Sequence, residues 1–143
     1  MYPGAGGAET PQERIQRLVT EGRKTREEVE LAEAFWRERL RSGVQLPNGD
    51  LIQISRADLY HVIVDDRVSR NPQRIERALQ SAFESREAEG GRRLVLSRWQ
   101  EGERERLAAL IIDAGNNLRS LHLIDQRRLE RYRRQAGPIL WTQ

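Results

Sequence analysis

A chain of 143 residues with 25 Lys or Arg, 22 Asp or Glu and no cysteine fits one domain of ordinary size. Without cysteine it excludes disulfides, thiolate metal sites and a thiol nucleophile, and it is expected in a reducing, cytoplasmic compartment. No stretch approaches the ~20 apolar residues of a membrane span, and the net charge of +3 rests almost wholly on arginine, Lys24 being the sole lysine.

Residues 1–9 lack the basic and apolar regions of a signal peptide and are expected to form a flexible tail. Thr10-Pro11-Gln12-Glu13 supplies an N-cap hydroxyl, a proline at the first helical position and a glutamate at the third, which is a capping box. Ile15, Leu18 and Val19 then recur at helical spacing. A second capping box at Thr25-Arg26-Glu27-Glu28 opens a helix over 26–41; Gly22 either separates the two helices or kinks one continuous helix. Val29, Ala32, Trp36 and Leu40 form one apolar stripe, and Leu31 with Phe35 a second. Residues 10–43 thus read as a helical arm packed on a core over 44–143.

Pro47-Asn48-Gly49-Asp50 between Val44–Leu46 and Leu51–Ile54 marks a hairpin, since Asn and Gly tolerate positive φ. Ser55 caps a short helix to about residue 64. Asn71-Pro72 opens another, with Ile75, Leu79, Ala82 and Phe83 on one face, and a polar loop follows over 87–92. Three strands are expected over 93–99, 107–112 and 118–124. Asp125 caps a last helix that ends at Ala136-Gly137-Pro138, and residues 139–141 fold back onto the core. The order predicts an α+β fold: N-terminal helices, a hairpin, two short helices, a three-stranded antiparallel meander and a closing C-terminal helix.

Alternation along the last strand sets Arg119, Leu121 and Leu123 on one face, and Leu118, Ser120, His122 and Ile124 on the other. Ser120 and His122 would then project together, where an imidazole near its ordinary pKa can act as acid or base. On a helix, Asp58, His61 and Asp65 share a face, so the carboxylates could orient that imidazole or hold a divalent cation; a plain solvated face is the alternative. Arg93 and Arg98 point to opposite sides of their strand, so only one can join Ser120 and His122. Arg127, Arg128, Arg131, Arg133 and Arg134 outnumber Asp125 and Glu130 on the last helix; Arg127, Arg128, Arg131 and Arg134 are candidate contacts for a phosphate backbone. No phosphate-binding glycine loop, dinucleotide fingerprint or nucleophile elbow is present, and no cofactor or metal is expected.

The hairpin Gln45-Leu46-Pro47-Asn48-Gly49-Asp50, the aromatic–histidine pair Tyr60-His61, the helix start Arg70-Asn71-Pro72 and the meander with its closing helix carry a family resemblance. Over the last two-thirds of the chain the layout resembles the phage- and mobile-element-associated branch of the barnase–EndoU–colicin–RelE nuclease superfamily. The resemblance implies a toxin-like, metal-independent ribonuclease that attacks through the ribose 2′-OH. It also implies that His61 is the family's helix histidine, Arg93 or Arg98 its strand cation, and Ser120 the polar residue of its last strand. In one departure, Asn71 stands where many relatives have histidine in Arg-His-Pro. Two other functions fit the same elements: an interaction module that docks a partner or a second copy on its N-terminal helices, and a nucleic-acid-binding module that uses the C-terminal arginines.

Overall fold

The computed structural model describes residues 8–143. Helix α1 (Pro11–Thr20) begins at the expected capping box, with Thr10 Oγ1 accepting from Glu13 N–H and the Glu13 carboxylate accepting from Thr10 N–H. Most of the expected tail lies outside the described residues; Glu9, at its end, pairs with Arg17 at 2.7 Å. The chain reverses at Gly22 (φ +73°), so α1 and α2 (Arg26–Phe35) are separate helices. Helix α2 runs on into one wide turn, Trp36–Leu40, which keeps Trp36 and Leu40 aimed inward with Ala32. The Trp36 indole N–H donates to the Ile54 carbonyl at 2.8 Å. Phe35 packs against this core and leaves only Leu31 of the second stripe exposed, which weakens that stripe as a docking surface.

The short hairpin of β1 (Val44–Gln45) and β2 (Leu51–Ile52) turns through Gly49. Helix α3 (Arg56–Val62) starts at a third capping box, made by Ser55 and Asp58, and stops two residues earlier than expected. A single-turn helix that sequence reading missed, α4 (Asp66–Ser69), follows with Asp65 as its cap, and then α5 (Gln73–Gln80).

The sheet has five antiparallel strands where three were expected. They are β3 (Ala82–Glu87), β4 (Arg93–Glu101), β5 (Arg104–Ile112), β6 (Leu118–Ile124) and β7 (Ile139–Thr142), in the order β6-β5-β4-β3-β7. Helix α6 (Gln126–Gln135) joins β6 to β7. Ala82 and Phe83 continue the apolar spacing of α5, which made them read as helix, but α5 ends at Gln80 with Ser81 as its C-cap. From there the two side chains go to opposite sheet faces, Ala82 into the larger core and Phe83 against the smaller. The C-terminal segment does fold back, as the edge strand β7 paired with β3.

Each sheet face is covered. On one side Ile15, Trp36, Leu59 and Ile75 from the helices meet Val95, Trp99, Leu110 and Leu121 from the strands. On the other, Leu94, Leu96, Leu107 and Ala109 pack under Leu129 of α6. The molecule is therefore α+β in three layers, helices–sheet–helix. Among the described residues, no helix is long and apolar enough to cross a membrane.

One irregularity shapes the outer strand. Ile111 pairs with Ser120, but Ile112 pairs with Leu118, so Arg119 is an extra residue, a β-bulge. Leu118 is consequently buried beside Leu121 and Leu123 in the larger core, and does not share a face with Ser120 and His122 as strict alternation required.

Candidate active site

Strand β6 forms one edge of the sheet, and α3 packs beside it while α1 packs on α3. His61 sits in the last turn of α3 with its side chain exposed. Ser120 (half-buried) and His122 (exposed) project from β6 on the side away from Leu121 and Leu123. Together with Arg14 of α1 and Asp65 of the α3–α4 junction, these three side chains line one open depression of about 230 Å³. Val62, Val64 and Leu121 form its apolar floor.

Partial burial holds the His122 imidazolium below the ordinary histidine range. Positive charge on Arg128, His61 and Arg67 acts the same way, while Asp65 opposes it. His122 is thus neutral, and able to accept a proton, at neutral pH. Burial pushes the Asp65 carboxyl up, but hydrogen bonds from the Arg67 side chain and backbone outweigh it and keep the carboxylate charged. The Arg14 guanidinium is exposed and makes no ion pair among the described residues, so its N–H groups are available to an anion.

His61 and Ser120 also border a second shallow depression, of about 400 Å³, with Arg92 and Arg119 on its rim. The expected strand cations are absent from both. Arg93 reaches the hairpin, donating to Asp50 at 2.8 Å and to the Asn116 side chain. Arg98 lies over the Phe83 ring, 4.7 Å from its centre, with Glu105 at 3.8 Å. The cation that lines the first depression is instead Arg14, which sequence reading missed: a charged residue on the outer face of a helix carries no local mark that another element brings a histidine beside it.

The carboxylate–histidine face expected on α3 does not form. Asp58 is buried in the Ser55 cap and accepts from Arg119 at 3.1 Å, and Asp65 lies beyond the helix end, capping α4. No group of three or more His, Asp or Glu is arranged to hold a metal ion among the described residues. The Tyr60 hydroxyl donates to Glu33 and is pushed up to about 12 by burial and that carboxylate.

No protein family, curated protein or solved structure matches the chain. A larger groove of about 520 Å³ lies between α1 and α2, lined by Arg26, Glu30, Glu33 and the bonded Tyr60 and by no histidine among the described residues. On α6, Arg127, Arg128, Arg131 and Arg134 are exposed and unpaired among the described residues. Arg133 differs, being drawn to Glu84 at 2.9 Å and Glu130 at 3.2 Å.

Proposed function

We propose that this protein is a ribonuclease-like enzyme that cleaves RNA through attack of the ribose 2′-OH, with side chains supplying the acid, the base and the charge stabilisation. The observation that carries the reading is the convergence of His61, His122, Ser120 and the unpaired Arg14 in one depression open to solvent. Strand cleavage of this kind needs a base for the 2′-OH, an acid for the departing 5′-oxygen and a cation for the charge on the phosphorane. His122, neutral at pH 7, suits the base; His61 is then the acid; Arg14 faces the non-bridging oxygens, and the Ser120 hydroxyl positions the phosphate. This agrees with the nuclease superfamily that the element order resembles, with Arg14 taking the part that the resemblance assigned to a strand arginine.

The test is incubation of end-labelled total RNA with micromolar protein in excess EDTA. Wild-type protein should cut it, and the His61→Ala/His122→Ala variant should be slower by at least about 100-fold, the usual span of lost acid–base catalysis. Uncut RNA, or equal cutting by the variant, would overturn the proposal. The exposed arginines of α6 support a second reading, nucleic-acid binding without cleavage; salt-sensitive binding of RNA that stays intact would favour it.

A further inference from the structure

Immediately beyond His122 along β6 lies another depression, of about 470 Å³, which the cleavage chemistry above does not use. Arginines from three elements surround it: Arg67 of α4, Arg104 and Arg106 of β5, and Arg128 of α6. Leu107, Leu123 and Ile124 form its floor. Arg104 and Arg128 are exposed and have no ion pair among the described residues. Arg67 bonds Asp65 through Nε and Nη2, and Arg106 bonds Glu101 through Nε, so further N–H groups of both remain free for a ligand. The two carboxylates on the rim are engaged elsewhere: Glu105 lies 3.8 Å from Arg98, and Asp125 accepts the backbone N–H of Arg128 at 2.8 Å.

We infer that this depression is a subsite for the phosphodiester backbone of single-stranded RNA, holding the phosphate next to the one at His61 and His122. This rests on the RNA reading above and adds to it the substrate class, a single strand longer than a dinucleotide. Four guanidinium groups around an apolar floor match the planar, multidentate recognition of phosphate. Among the described residues no aromatic side chain lines the depression, so the backbone and not the base is what it reads. The two depressions adjoin along β6, His122 lining one and Leu123 and Ile124 the next.

The test is fluorescence anisotropy with a labelled 2′-O-methyl octanucleotide, which can bind but cannot be cut, titrated across a range of salt. Each arginine–phosphate contact contributes about 0.7 to the slope of log affinity against log salt for a single strand. Arg104→Ala/Arg128→Ala should therefore flatten the slope by roughly 1.4 and weaken binding about tenfold at low salt, equally for different sequences. Arg104→Lys/Arg128→Lys should keep most of the slope. The charge-matched control Arg23→Ala/Arg37→Ala, whose residues line neither depression, should bind as wild type does. No binding by wild-type protein, an unchanged slope in the Arg104/Arg128 variant, or equal loss in the control would each overturn the inference. The ligand cannot be cleaved, so binding that depends on Arg104 and Arg128 in a protein that leaves total RNA intact would uphold the subsite while the catalytic proposal fell.

Discussion

His122 shows how one residue's surroundings set its chemistry. Partial burial and the cations Arg128 and Arg67 favour the neutral ring, and Asp65 alone among its charged neighbours favours the protonated one. A general base must be unprotonated, so the rate should fall on the acid side with a midpoint below ~6.5, the ordinary histidine value. Asp65→Asn, which keeps a side chain able to cap α4, removes the one opposing charge and should move that midpoint to still lower pH; a shift to higher pH, or none, contradicts the assignment. Linkage carries the same sign. A histidine whose folded pKa is depressed adds stability that is present above its unfolded value and is lost as pH falls from there towards the folded value. The effect is small here because the residue is only partly buried and solvent screens its charge. Arg14 could not be picked out among the many arginines of the sequence, because what distinguishes it is a neighbour some fifty positions along the chain.

At the scale of elements, what was legible was local. Capping boxes at Thr10 and Thr25 and the cap at Ser55 announce three helix starts within four residues each, and all three starts form as read. Strand β3 was hidden because Ala82 and Phe83 prolong the period of α5, and only pairing with β4 and β7 decides their conformation. The bulge at Arg119 was equally invisible, since register belongs to two strands and not to one. Contacts between distant elements also hold the site in place. Lys24, buried in the turn between α1 and α2, donates to Asp66 at 2.8 Å and to Ser69 Oγ at 2.9 Å, and Ser69 donates to Glu28 at 2.6 Å. Burial pushes the Glu28 carboxyl up, but the Ser69 and Thr25 hydrogen bonds and the charges of Lys24 and Arg70 outweigh it, so Glu28 stays ionised. Lys24→Met would leave that half-buried carboxylate without its main cation and should cost about 3 kcal/mol in urea unfolding. A loss below about 1 kcal/mol would show that the network does not pin α4, and with it Asp65, against the N-terminal helices.

Across the whole molecule, three layers leave β6 at an edge of the sheet with helices on either side of it. That arrangement lets α1, α3 and β6 each contribute side chains to a shared depression, while α4, β5 and α6 contribute arginines to the next. The α+β class and the pairing of Ser120 with His122 could be read from spacing alone; the joining of His61 and Arg14 to them is a product of tertiary packing. If the 2′-OH of the substrate is the nucleophile, the chemistry of the cut ends reports on it most directly. Mass spectrometry of fragments from a short single-stranded RNA incubated in EDTA should find 2′,3′-cyclic phosphate on one fragment and a free 5′-hydroxyl on the other, and a 2′-deoxy substitution at the cut position should abolish the product. Fragments ending in 3′-hydroxyl and 5′-phosphate, or cleavage undiminished by the deoxy substitution, would contradict the account.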